Sequence, residues 1–197
     1  IRALSEMDVP FIIWGLPGPR FNYSTVMGDN VAGGMLATQH LIDRGRQRIA
    51  FLGGPSYDPE VQHRFKGYES ALQAAGRSLD PNRLAYGDWY FESGMSAMRR
   101  LLQQAPDLDA VFACSDFMAL GVIQVIQESG KRVPEDIAVV GYDDLQVALY
   151  NNLPLTTIRQ DVALAGRLLA QNLIQYIQAG VVTNVTLPVE LVVRKST

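Results

Sequence analysis

The side chains able to do chemistry in this 197-residue chain gather where apolar runs end. After RIAFL come Tyr57 and Asp58, with Arg64 one turn into the next helix. After RLAY come Asp88 and Trp89, after DAVFAC come Ser115 and Asp116, and after DIAVVGY come Asp143 and Asp144. Carboxylates accept from hydroxyl and ring N–H groups, and a guanidinium donates through a planar fork. An indole offers a flat face to a sugar ring or a heterocycle. Such a set suits the gripping of a small polar molecule by a few oriented groups. Each residue also has a plainer reading. Asp116 reads as a helix N-cap, Asp88 as a turn residue, Trp89 as core and Arg64 as an i,i+4 partner of Glu60. Asp144 reads as the start of the next helix, which leaves Asp143 as the ligand group. The shared location favours the binding reading, because ligands of open α/β sheets sit outside the carboxyl ends of the strands.

No constellation makes a positive case for catalysis, a metal or a cofactor. Gly53–Gly54–Pro55 follows a strand and precedes a helix, where phosphate loops sit, but it lacks GxxxxGK and GxGxxG and Pro55 has no N–H to donate. His40 and His63 lie on separate helices without paired ligand spacing, His40 on the exposed or subunit-facing side. Cys114 reads as a small buried residue rather than a nucleophile, and there is no GxSxG.

These residues need elements to position them. Ile137, Val139 and Val140 are β-branched and surround Ala138, the pattern of a strand buried on both faces of a parallel sheet. Strands are also expected over Val9–Trp14, Tyr23–Met27, Arg48–Leu52, Arg83–Tyr86, Asp109–Cys114 and Val185–Val193. Helices are expected over Val31–Arg44, Pro59–Ala75, Phe91–Gln104, Asp116–Ser129 and Val162–Gln178, stopped in four cases by Gly45, Gly76, Gly130 and Gly180. Arg2–Met7 reads as the end of a helix and Leu16–Asn22 as a loop. Strand and helix alternate, so the fold class is α/β with parallel sheets flanked by helices.

The composition is 48% hydrophobic, enough for one sizeable core or two small ones. The formal net charge is -3, and short basic pairs such as Arg99–Arg100 and Lys131–Arg132 leave no nucleic-acid footprint. The one cysteine, Cys114, cannot form an internal disulfide, which fits a reducing, cytoplasmic compartment. No export signal is evident in IRALSEMDVP, and no apolar run approaches the roughly 18 residues that span a membrane.

Several stretches carry a family resemblance. GDNVAGGMLATQHLIDRGRQRIAFLGGP resembles a DNxxGGxxAxxHLIxxGHxxIAFIGGP pattern, RFKGYESAL resembles RxxGYxxAL, and ESGMSAMRRLL resembles ESGxxAxxxLL. DAVFACSDFMALGVIQVIQESGKRVPEDIAVVGYDD, followed by LPLTTIRQD and the closing LPVELVVRKST, completes the match in order. Together they resemble the effector-binding core of LacI/GalR-family transcription regulators. The resemblance implies two Rossmann-like subdomains of the periplasmic-binding-protein-like type I class, residues 1–45 with 161–186 and residues 46–160 with 187–197. It implies a small effector, a sugar or sugar derivative, in the cleft between them, held by Asp58, Arg64, Trp89, Ser115 and Asp143. It implies a homodimer whose contacts fall on Met118, Leu120, Ile123, Leu145 and Leu149, residues that read equally as intradomain core. Operator DNA would be met only through an N-terminal helix-turn-helix that this chain lacks, and allostery would act through the angle between subdomains. A periplasmic sugar-binding protein of a transporter is the alternative. Two departures stand out. Ser115 is shorter than the family's frequent Asn, and Arg46 replaces a His. The first part of the N-subdomain is expected to be missing.

Overall fold

The structure, a computed structural model, describes Leu4 and residues 9–16, 23–150 and 152–197. The expected helix end over Arg2–Met7, Leu4 apart, and all of the expected loop except Leu16 lie outside those residues. Runs such as IAFLG and AVVGY are apolar at successive positions, so both faces of their strands need cover. They become the middle of a six-stranded sheet. Its strands are β3 (Ile49–Gly53), β4 (Leu84–Tyr86), β5 (Ala110–Ala113), β6 (Ala138–Asp143), β7 (Thr156–Gln160) and β9 (Val189–Val192), in the order β4-β3-β5-β6-β7-β9. From β4 through β7 each pair is parallel, with Phe51 opposite Phe112 and Phe112 opposite Val140. A second sheet holds β1 (Ile12–Trp14), β2 (Ser24–Gly28) and β8 (Asn184–Leu187), all parallel.

The helix bounds and glycine stops follow expectation closely. They are α1 (Asn30–Asp43), α2 (Pro59–Ala74), α3 (Phe91–Gln104), α4 (Asp116–Glu128), the short α5 (Gln146–Tyr150) and α6 (Val162–Ala179). The Asp161 carboxylate accepts from the Leu164 N–H at 2.8 Å to start α6, and Gly180 ends it with φ 65°. No helix among the described residues is long and apolar enough to cross a membrane.

Two strand assignments differ from expectation. Val185–Val193 is not one strand but two, β8 and β9, which belong to different sheets. Pro188 stands between them, where its fixed φ and missing N–H interrupt a ladder. TTIRQ, outside the expected strands, is β7, in register with β6 so that Asp143 pairs with Arg159.

The chain divides into two compact units, Ile1–Asp29 with Gln160–Val189 and Asn30–Arg159 with Glu190–Thr197. The first crossing therefore falls between Asp29 and Asn30 rather than near Gly45, and α1 belongs to the larger unit. The reason is close helix packing. A Cβ on Gly34 of α1 would run into the Arg64 carbonyl, and one on Gly67 of α2 would run into the Val31 carbonyl. The two helices touch backbone to backbone. In the smaller unit Val26, Ala165 and Leu187 form a buried core with Ile12 and Trp14 packed against it. In the larger unit the core is aromatic. Phe51, Tyr68, Phe112 and Tyr142 are buried, with the Phe51 ring 5.7 Å from Phe112 and 5.3 Å from Tyr68. Each phenylalanine so buried contributes about 1.5–3 kcal/mol. Replacing Gly67 with Ala is expected to force α1 and α2 apart and to lower stability by about 1–3 kcal/mol. Urea unfolding measures this, and an unchanged midpoint would show the crossing to be loose.

Candidate functional site

Arg64 is the centre of the site. The Asp58 carboxylate accepts from the Glu60 N–H at 2.8 Å and caps α2, whose first residue is Pro59. That start carries Arg64 inward to 3% exposure. All three of its nitrogens donate: Nε to Asn30 Oδ1 at 2.7 Å, Nη1 to the Cys114 carbonyl at 2.5 Å and Nη2 to Glu60 Oε2 at 3.3 Å. The guanidinium carbon lies 3.7 Å from the centre of the Tyr142 ring and 5.5 Å from that of Trp89, a cation–π arrangement. Burial works to lower the Arg64 pKa, but the acidic groups around it, Tyr142, Asp143, Cys114 and Glu60, outweigh it and leave the pKa above its ordinary value. Burial raises the Glu60 carboxyl, against the pull of Arg64. It also pushes the Cys114 thiol up to about 12, so that this cysteine is inert at neutral pH.

Trp89 is half-buried and held with φ 78°, a conformation rare for a bulky residue. Two features hold it. Its ring covers Gly54, where a Cβ would sit 2.5–2.7 Å from indole carbons. Its carbonyl accepts from Ser115 Oγ at 3.2 Å, while the same Oγ accepts from the Met118 N–H at 3.2 Å. Ser115 is thus the N-cap of α4, the role expected of Asp116. Asp88 is a turn residue, as its plainer reading has it. Its Oδ1 accepts from the Tyr90 N–H at 3.1 Å, and the Ser93 and Tyr90 hydrogen bonds hold its pKa below the usual range. Tyr57 is 82% exposed in the adjoining turn.

The acids at the end of β6 part company. Asp143 is half-buried with φ 103°, and its charge acts on Arg64, Glu60, Tyr142, Cys114 and Asp116. Asp144 does not cap α5, which starts at Gln146. Its carboxylate instead takes Arg159 Nε at 2.6 Å and Arg194 Nη2 at 2.5 Å. Burial works to raise its pKa, but the two guanidiniums hold it below the ordinary value. Asp116 is fully buried and accepts from Thr157 Oγ1 at 2.6 Å and the Leu145 N–H at 2.7 Å. Burial raises its pKa from 3.8 to about 7.

Asp58, Trp89, Ser115 and Asp143 therefore lie at the carboxyl ends of β3, β4, β5 and β6, around Arg64, all in the larger unit. Sequence reasoning missed Asn30, at the start of α1, and Tyr142, read only as part of a strand. It also missed Thr157, Arg159 and Arg194, whose approach depends on β7 and the C-terminal segment. Of the residues tied to a dimer, Met118 is fully buried against Gly87 and Gly94, and Ile123 is 3% exposed. Leu120 and Leu145 are half-buried, and Leu149 is 48% exposed. His40 is also half-buried rather than on an open face, with its Nε2 2.9 Å from Thr197 Oγ1.

Residues 38–197 match the periplasmic binding protein-like domain, and the chain belongs to that family. Its relatives are LacI-family regulators. The chain is 45% identical over 199 residues to the HTH-type transcriptional regulator CelR of Thermobifida fusca, covering 99% of this chain and 58% of that protein. It is 35% identical over 172 residues to the ribose operon repressor of Haemophilus influenzae, covering 87% of this chain and 52% of that protein. Among solved structures, a transcriptional regulator CelR–cellobiose complex aligns with a TM-score of 0.94 and 43% identity, over 98% of this chain and 61% of that one. A LacI family transcriptional regulator from Enterococcus faecium with bound ribose aligns with a TM-score of 0.87 and 30% identity, over 100% of this chain and 73% of that one. The chain thus spans a little over half the length of these curated relatives.

Arg64 is structural as well as central, so Arg64→Ala is not expected to spare the fold. That substitution strands Glu60, Asn30 and the Cys114 carbonyl, and it is expected to destabilise by about 3–5 kcal/mol in urea unfolding. Asp116 gives a pH signature. Because its folded pKa is about 7 against 3.8 unfolded, the folded chain holds a proton that the unfolded chain releases. Its contribution to stability therefore falls as pH rises between those values and levels above them. Asp144 works in the opposite sense and at lower pH, its contribution being lost as pH falls below the ordinary carboxylate range. Urea titrations from pH 4.5 to 8 are expected to show the slope flattening in Asp116→Asn (a range set by the two values 3.8 and about 7). An unchanged slope would place the proton elsewhere.

Proposed function

We propose that this chain is the effector-sensing part of a LacI-type bacterial transcription regulator, and that it takes a small sugar or sugar derivative at the carboxyl edge of its six-stranded sheet. The observation that carries this reading is the buried Arg64 guanidinium between the Tyr142 and Trp89 rings, with Asp58, Ser115 and Asp143 at the neighbouring strand ends. The cellobiose and ribose in the two aligned regulators support a sugar over other polar ligands. In this reading Asp143 accepts from sugar hydroxyls, and the Trp89 face covers the C–H side of the ring. Ser115, whose hydroxyl already bonds within the protein, contributes by holding Trp89.

The regulatory step is differential affinity. A sugar that binds one conformation better shifts the population toward it, and operator affinity follows through reciprocal coupling. In the full-length protein, operator DNA would be met by a helix-turn-helix, in a cytoplasmic homodimer. With Met118 and Ile123 buried inside the unit, the pairing surface is narrowed to Leu120, Leu145 and Leu149, joined by the 47% exposed Phe117.

The test is a thermal-shift panel of cellobiose, ribose, other mono- and disaccharides and nucleobases, followed by calorimetry. One sugar is expected to raise the melting temperature in a saturable way, equivalent to about 2.7 kcal/mol at a hundredfold excess over its Kd. Asp143→Ala is expected to weaken that sugar at least ~tenfold, or about 1.4 kcal/mol, with unchanged circular dichroism. No response to any sugar, or full affinity in Asp143→Ala, would overturn the reading.

A further inference from the structure

The turn that carries Asp143 is held in a way that a simple strand end does not need. Asp143 and Asp144 are consecutive non-glycine residues with φ 103° and 54°. Such backbone persists only where the surroundings over-determine it. Here three neighbouring segments converge on it. From α4, Asp116 Oδ2 accepts from the Leu145 N–H at 2.7 Å. From β7, Thr157 Oγ1 donates to Asp116 Oδ1 at 2.6 Å and lies 3.4 Å from the Asp144 N–H, and Arg159 Nε donates to Asp144 Oδ2 at 2.6 Å. From the C-terminal segment, Arg194 Nη2 donates to Asp144 Oδ1 at 2.5 Å. Arg194 is itself anchored, its Nη1 to the Leu155 carbonyl at 2.8 Å and its backbone N–H to Thr156 Oγ1 at 2.9 Å. Gly141 leaves the room that Asp116 occupies, since a Cβ there would meet Asp116 Oδ1.

We infer that Asp116 and Asp144 are positioning residues, which set the carboxylate of Asp143 for the effector by clamping the backbone on its C-terminal side. The inference rests on the reading that Asp143 meets the sugar. Neither clamp residue is placed to meet it directly. Asp116 is fully buried, and the Asp144 side chain is 10% exposed and engaged by two guanidiniums. The clamp also has an electrostatic consequence. With Arg159 and Arg194 neutralising Asp144, Asp143 does not stand beside a bare carboxylate. The C-terminal segment thereby becomes part of the binding apparatus without touching the ligand.

The experiment compares Asp116→Ala, Asp144→Ala, Asp116→Asn and Asp143→Ala in the full-length protein, with cellobiose titrated by calorimetry and amide hydrogen exchange followed without sugar. Asp116→Ala and Asp144→Ala are each expected to weaken cellobiose at least ~tenfold. Asp116→Asn keeps an oxygen for the Leu145 N–H and is expected to recover most of the loss. In the Asp143→Ala background, Asp116→Ala should add less than about twofold, because its effect passes through Asp143. Exchange at the 143–145 amides should quicken in Asp116→Ala while the preceding β6 amides stay protected. Full affinity in both alanine variants while Asp143→Ala is impaired overturns the inference and leaves the site reading standing, as do losses that add to that of Asp143→Ala. Full affinity in Asp143→Ala overturns the site reading instead. Unchanged exchange at 143–145 overturns the clamp whatever the sugar does. If Asp116→Ala does not fold, Thr157→Val takes its place and is expected to quicken the same amides.

Discussion

A guanidinium entering a protein interior must have its donors met and its charge answered, or its burial is prohibitive. Arg64 sets that requirement for the larger unit, and several otherwise unrelated features follow from it. Asn30 must reach Nε, so α1 must lie against α2. The Cys114 carbonyl must reach Nη1, so the end of β5 must lie beneath the guanidinium. Glu60 answers part of the charge from one turn away, and the Tyr142 face answers more through its π-system. The result is a cation fixed from several directions at the carboxyl edge of a parallel sheet, the place where open α/β folds hold ligands.

Close helix crossings make that arrangement possible. Gly34 and Gly67 let α1 and α2 meet backbone to backbone, and Gly94 and Gly121 do the same for α3 and α4. In each pair the glycine of one helix faces a backbone carbonyl of the other, so neither contact could accept a side chain without separating the helices. The first crossing seats Asn30 beside Arg64. The second brings α4, with Ser115 at its cap, against the helix that follows Trp89. Ser115 then holds the Trp89 carbonyl while the ring lies over Gly54. An indole held by both its backbone and its ring keeps its free face in one place.

The three acids around β6 show how far environment governs a shared chemistry. Asp116 is buried beside a hydroxyl and an amide, and its pKa climbs to about 7. Asp144 lies between two guanidiniums, and its pKa falls. Asp143, between them in the larger unit, is the acid whose field reaches Arg64. Identical side chains thus become a buried anchor, an ion-pair hub and a half-buried acid within reach of Arg64.

Much of this was legible in the residues. Alternation of apolar runs with capped, glycine-stopped helices gave an α/β fold, because periodicity and cap chemistry are local properties. The clustering of Asp58, Arg64, Trp89, Ser115 and Asp143 was legible too, since all follow strands of one parallel sheet and parallel strands share a carboxyl edge. What remained hidden depended on contacts between distant segments. That Val185–Val193 splits between sheets turns on which strand each half pairs with, although Pro188 was a local hint. That α1 joins the larger unit follows from a helix crossing rather than from a linker composition. Most plainly, a sequence can place Asp143 beside Asp144, but it cannot say that Arg159 and Arg194 arrive to claim one of them. Residue types and spacing determined which groups stand at the sheet edge. Only tertiary packing decided which carboxylate is neutralised and which is buried, because charge and solvation depend on neighbours that lie far away along the chain.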